Sequence, residues 1–298
     1  MTNHLPTTTR RALGVACIAL LLTACAGLSA SDDEELANMD LVNMDLVNMY
    51  KEHAGDSPVP SPVAWTEPVQ PVTGKAVSYT SVDGKPVTGW LARPVGAADD
   101  LPALIVIHQW WGLDDSIRRA AERLAGQGYT ALAVDLYNGV VAEKPPQAMK
   151  ISRTVSKNKA AGLANISDAI AYLKANGATK IGVIGWCMGG RWSLFTALEF
   201  PQDIDASIIY YGGVTDDQEE LAVLDMPVLG IFAGNDFIVP PKKAYRFAAA
   251  MEDLKKDLEF YMYRDADHAF SNPSGQDYNP EAAADAWEKT TDFLKRNL

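Results

Sequence analysis

The chain is poor in cysteine, in histidine and in positive charge, and each shortage removes a class of function. Cysteine occurs three times in 298 residues, as Cys17, Cys25 and Cys187. The first two belong to the N-terminal stretch, so neither a disulfide framework nor a cysteine-rich metal centre is possible. Lys and Arg number 26 against 38 Asp and Glu, a formal net charge of −12. That balance excludes nucleic acid as a partner, because binding phosphates needs clustered Lys and Arg. With four histidines and no cluster of ligand residues along the chain, no metal and no organic cofactor is expected. What remains is ordinary for a folded protein: 48% hydrophobic and 21% charged residues, well away from the composition of disordered chains.

The stretch that organises the chain is Gly185-Trp186-Cys187-Met188-Gly189-Gly190. It follows an apolar run, Lys180 to Ile184, that reads as a buried strand, and it precedes Arg191 to Leu198, which reads as a helix. Strand, small-X-nucleophile-X-small, helix is the pattern of a nucleophile elbow, a turn so tight that the residues two before and two after the nucleophile must be nearly without side chains. The nucleophile here is a cysteine. A buried structural thiol on a Gly-rich turn is the plainer alternative.

Taken in order, residues 1–25 have the form of an export signal. Arg10-Arg11 supply positive charge, and the apolar run Ala12 to Leu22 is too short to persist as a spanning helix. Leu22-Thr23-Ala24-Cys25 resembles the lipobox of bacterial lipoproteins, which implies lipidation at Cys25, a membrane partner through the acyl chains, and a place in the cell envelope facing the periplasm, at the outer membrane rather than the inner. Residues 26–72 have the composition of a flexible tether, with an acidic run at Asp32 to Glu35, a five-residue repeat over Asn38 to Met49 and a Pro-rich segment from Ser57 to Pro62. From residue 73 to 298 strand-like and helix-like segments alternate. Lys75 to Thr80 and Pro86 to Leu91 read as a hairpin through Asp83-Gly84. Strands follow at Ala103–Ile107, Tyr129–Val134, the elbow strand, Ala206–Tyr211, Pro227–Phe232 and Leu258–Tyr263. Helices are expected at Ile117–Gln127, Ala160–Lys174, Lys242–Leu254 and Glu281–Leu294. The alternation implies an α/β domain with a mostly parallel central sheet and helices on both faces. Ligands of such sheets gather at the carboxyl ends of the strands, where Cys187 lies.

A thiol nucleophile needs a base, most often His. His4 lies in the signal and His53 in the tether, which leaves His108 and His268. In α/β-hydrolases the order along the chain is nucleophile, acid, histidine. That order makes His268 the base and puts His108 beside the oxyanion loop, where a structural role is the plainer reading. Asp236 follows a buried strand and a Gly turn between Cys187 and His268, so it is the expected orienting acid. Asp267 is adjacent to His268 and ranks below it.

These residues, with Trp110-Trp111-Gly112-Leu113, Asp135-Leu136-Tyr137, Tyr210-Tyr211-Gly212, Gly234-Asn235-Asp236 and Asp267-His268-Ala269-Phe270, resemble the dienelactone hydrolase (carboxymethylenebutenolidase) family of the α/β-hydrolases over residues 73–298. The resemblance implies Cys187 as nucleophile, His268 as base, Asp236 as orienter and the backbone amides of Met188 and Trp110 as oxyanion hole. It places Gln109 against the resting thiol, at a position where the family holds Glu. It implies an enzyme that hydrolyses a small-molecule ester or lactone through an acyl-enzyme; a monomer is expected. Trp111, Tyr137, Trp186 and Asn272 would line the substrate pocket, Asn272 standing where the family carries a carboxylate-binding Arg that Arg153 or Lys150 would replace. A thioesterase or acyltransferase on the same triad remains open, as does a non-catalytic envelope-binding lipoprotein.

Overall fold

The computed structural model describes Met1, His53, Gly55, Asp56 and residues 66–298. The export signal, the lipobox, the acidic run, the repeat and the Pro-rich segment lie outside the described residues. From His53 onward the described residues belong to one compact unit, and among them no helix is long and apolar enough to cross a membrane.

Eight strands form one sheet in the order β1-β2-β4-β3-β5-β6-β7-β8. They are β1 Val72–Val82, β2 Lys85–Pro94, β3 Ala103–Ile107, β4 Thr130–Val134, β5 Ile181–Trp186, β6 Ala206–Tyr210, β7 Val228–Ala233 and β8 Leu258–Tyr263. The pairs β1/β2 and β2/β4 are antiparallel, and every pair from β4 through to β8 is parallel. The hairpin turns at Asp83 and Gly84, both with positive φ (49° and 73°), as a two-residue Asp-Gly turn requires. Strands β3 to β7 are buried along their whole length, which is why they read as continuous Val/Ile/Leu/Ala runs and not as alternating patterns. The sheet edges fall on β1 and β8, where burial is only partial.

Among the described residues seven helices cover the sheet: α1 Asp115–Gly126, α2 Pro145–Lys157, α3 Lys159–Ala175, α4 Met188–Glu199, α5 Gln218–Leu221, α6 Pro241–Asp253 and α7 Pro280–Asn297. α1 and α7 pack Ile117, Ala121, Leu124, Ala286, Phe293 and Leu294 onto one face, against Ile184, Ile208 and Leu229. The other face is reached by residues of opposite strand parity: Ser207 bonds Ser193 of α4, and Phe232 meets Phe247 of α6. The long helices fall where the periodicity predicts them. α2 is not among the helices expected from sequence; it begins at Pro145-Pro146, and Pro is well accommodated in a first helical turn. The layout brings the ends of β3, β5 and β7 and the chain beyond β8 to one edge of the sheet, the edge at which such folds bind ligands.

Candidate active site

β5 ends at Trp186 and α4 begins at Met188, so the chain reverses on one residue, Cys187, with φ 54° and ψ −114°. A non-glycine residue held there costs on the order of 1–3 kcal/mol and persists only when its surroundings impose it. They do: the Cys187 amide donates to the Tyr210 carbonyl at 3.0 Å, and its carbonyl accepts from the Arg191 amide at 3.2 Å. A Cβ on Gly185 would strike the Gly189 backbone, and one on Gly189 would strike the Ile107 carbonyl. Two glycines are therefore a condition of the turn.

β7 delivers Asp236 through Gly234, which lies against the Arg264 backbone. Asp236 Oδ1 accepts from the amides of Ile238 and Val239 at 2.8 and 2.7 Å. Its Oδ2 accepts from His268 Nδ1 at 2.8 Å, with both side chains fully buried. Asp236, and not Asp267, therefore orients His268. His108 is occupied elsewhere: its Nδ1 bonds the Gln109 carbonyl at 2.6 Å and its Nε2 accepts from the Leu136 amide at 3.1 Å. That is a loop-fixing role.

His53 corrects the elimination made from sequence. Flanked by a repeat and a Pro-rich segment, it sits in chain that reads as tether, yet it is 1% exposed. Its ring lies 4.5 Å from that of Trp110 and 5.5 Å, edge-on, from that of His268. Nδ1 bonds Asp56 Oδ2 at 2.7 Å, and Asp56 Oδ1 accepts from the Gln276 amide at 3.1 Å. The tether reading of residues 26–72 thus fails at His53 and Asp56, whose side chains are buried. The burial of an imidazole and a carboxylate against the site fixes this segment to the domain. The expectation of no ligand cluster fails with it. One nitrogen of His53, one of His268 and the Cys187 sulfur all lie within 4.8 Å of one another. The only sequence sign was a His-X-X-Asp spacing, too common to have singled it out.

Burial alone would push the Cys187 thiol up, but the charge and hydrogen bond of His268, then those of His53, outweigh it and bring it down to about 6. Burial likewise opposes charge on His268, yet Asp236 and the thiol hold it well above the ordinary imidazole range. Burial opposes charge on His53 as well, but its bond to Asp56 together with the hydrogen bond and charge of Cys187 raise it. The favoured state is a thiolate beside imidazolium.

Met188 is the first residue of α4, so its amide has no intrahelical acceptor and adds to the positive end of the helix dipole. Trp110 lies in the loop after β3, 1% exposed. Gln109 is buried with Oε1 unpartnered, while the groups acting on the thiol are His268 and His53. A cavity of about 170 Å³ adjoins the centre, lined by Gln109, Trp186 and Ser271 and walled by Arg119, Arg123 and Trp287 of α1 and α7. Of the residues expected to line a pocket, Trp186 does so. Trp111 packs edge-on to Trp110 at 5.1 Å. Tyr137 packs on His108 and donates to Met188 Sδ at 3.2 Å. Asn272 fixes its own loop, Oδ1 accepting from the Ser274 amide at 3.1 Å. Lys150 and Arg153 are exposed on α2.

The pattern of the dienelactone hydrolase family matches residues 87–298. The chain belongs to the dienelactone hydrolase family. As a member it is a hydrolase, and its relatives agree with the fold described above. A Saccharolobus solfataricus protein, named as a candidate carboxymethylenebutenolidase, is 34% identical over 261 residues, covering 74% of this chain and 98% of its own. The solved structure of a candidate dienelactone hydrolase from Klebsiella pneumoniae superposes with a TM-score of 0.66 at 24% identity, covering 74% of this chain and 97% of that one. A dienelactone hydrolase-like promiscuous phosphotriesterase from metagenomic libraries superposes with a TM-score of 0.69 at 21% identity, covering 76% and 98%. At those identities the superpositions speak for the α/β-hydrolase fold.

Proposed function

We propose that this dienelactone hydrolase-family protein cleaves a small ester or lactone through a Cys187–His268–Asp236 triad. The observation that carries the reading is the bond from His268 Nδ1 to Asp236 Oδ2 at 2.8 Å, with a nitrogen of His268 within 4.8 Å of the Cys187 sulfur at a strained elbow. The Cys187 thiolate adds to the carbonyl carbon, and charge gathers on the carbonyl oxygen opposite the amides of Met188 and Trp110. One such donor typically contributes about 3–4 kcal/mol to the transition state. The C–O bond breaks, His268 gives its proton to the departing alkoxide, and a thioester remains on Cys187. His268 then takes a proton from water, the hydroxide adds to the thioester, and the acid leaves as the thiolate returns. The cavity beside Trp186 and Gln109 is the substrate pocket in this reading, with Arg119 and Arg123 favouring an acyl or leaving group that carries negative charge.

The test is turnover of p-nitrophenyl acetate and a lactone panel that includes a dienelactone by the full chain and by Cys187→Ala. Loss of turnover in the variant by 10³-fold or more is expected. Equal activity in both would overturn the triad. The order of charge, apolar run and Leu22-Thr23-Ala24-Cys25 supports export and lipid anchoring at Cys25, on the periplasmic side of the envelope. Cell fractionation of Cys25→Ala checks this: release from the membrane fraction is expected, and unchanged retention would sink the anchor.

A further inference from the structure

Hydrolysis by a triad needs one imidazole backed by one carboxylate, and the site holds two. His268 Nδ1 is tied to Asp236 at 2.8 Å and His53 Nδ1 to Asp56 at 2.7 Å. With Nδ1 of each ring taken, Nε2 is the nitrogen left to face the sulfur. Both Nε2 atoms are buried and neither meets a hydrogen-bond partner of ordinary geometry. A carboxylate behind Nδ1 is the usual support of a metal-ligating histidine, because it fixes the tautomer and aims the Nε2 lone pair outward. The third group within 4.8 Å is a free thiol.

We propose that His53, Cys187 and His268 form a binding site for one zinc-type divalent cation, held by two imidazole nitrogens and one thiolate with a fourth position left to water. The donor set selects the metal: nitrogen and sulfur suit zinc, whereas magnesium and calcium require oxygen. The spacing is within reach. Zinc–nitrogen bonds near 2.0–2.1 Å and a zinc–sulfur bond near 2.3 Å set tetrahedral ligand atoms about 3.3–3.7 Å apart. The present spread of up to 4.8 Å closes through side-chain rotations of about 1 Å. On binding, the protons on the two Nε2 atoms and any on sulfur pass to water, and no electrons move. Asp56 and Asp236 stay behind the ligands and balance the charge of the ion. A filled site ties up the sulfur lone pair, so metal binding and acyl transfer are mutually exclusive states of Cys187. The site itself does not rest on the proposed hydrolysis.

The experiment is a cobalt(II) titration of the full untagged chain after chelator treatment. Wild type should bind one equivalent, show thiolate-to-cobalt charge transfer in the near ultraviolet with the strong visible bands of a tetrahedral site, and lose both to one equivalent of zinc. Cys187→Ser should lose the charge-transfer band. His53→Ala should weaken binding a hundredfold or more. Asp56→Asn, which leaves all three ligands in place, should weaken it about 10–100-fold and decides the matter if His53→Ala does not fold. Absence of one-to-one binding in wild type, absence of the charge-transfer band, or affinity equal to wild type in the His53→Ala and Asp56→Asn variants would overturn the site. Ester turnover by the chelated chain is read separately. Cobalt binding without turnover removes the hydrolase reading alone, and turnover without cobalt binding removes the metal site alone.

Discussion

Cys187 has an imidazole nitrogen of each of two histidines, His268 and His53, within 4.8 Å of its sulfur, which makes its reactivity a direct reporter of the site. In chelator-treated protein, alkylation by iodoacetamide should rise with pH about a midpoint near 6, the position to which His268 and His53 lower the thiol. At pH 7 such a thiol is roughly nine-tenths ionised, against about 1% for one near 9. His268→Gln removes the larger attraction and should move the midpoint up by a unit or more; a midpoint that stays near 6 would show that another group ionises the thiol. Cys187, Asp236 and His268 were legible because each stands at the end of an apolar strand in an order that few functions share. His53 carried no such mark. Its place is decided by its contact with Trp110 and by the bond of its partner Asp56 to the Gln276 amide, which no local pattern encodes.

Strands were legible whether fully buried or, like β8, only half-buried. The five central strands and the long helices announce themselves, whereas α2, beginning at a Pro pair, does not. α1 shows how one cap couples an element to solution conditions. Asp114 accepts from the Ile117 amide at 3.1 Å and from Ser116 Oγ at 2.6 Å. Burial nevertheless outweighs these bonds and raises its carboxyl from 3.8 to about 6. Between those values the folded chain holds a proton that the unfolded chain has released, so this group's contribution is full below about pH 4 and is lost as pH rises to about 6. The ceiling is on the order of 3 kcal/mol, at about 1.4 kcal/mol per unit. Asn caps a helix as well as Asp does and does not titrate. The stability of Asp114→Asn relative to wild type, from urea unfolding, should therefore climb between pH 4 and pH 7. Parallel curves for the two proteins would refute the assignment.

At the scale of the whole molecule, the topology was readable from the alternation of strands and helices, and the wall contributed by His53 and Asp56 was not. That wall matters for access. Cys187 is 6% exposed, His53 1% and His268 fully buried. A chain of residues 66–298 keeps every strand and helix of the sheet but loses His53 and Asp56. Alkylation of Cys187 measured at pH 9.5, where the thiol is ionised in either version, should be faster in the shorter chain by roughly tenfold or more, since an intramolecular cover must open before a reagent enters. Equal rates would mean that the segment does not guard the thiol.

His53 and Asp56 belong to the same chain as the domain on which they dock. A group joined covalently to its own docking site is present there at an effective concentration that dilution does not change. Any substrate that needs the space of His53 therefore meets a resident competitor that dilution does not remove. Weak substrates are screened out by that competition, and those that bind tightly enough to displace the segment set the operating range of the enzyme.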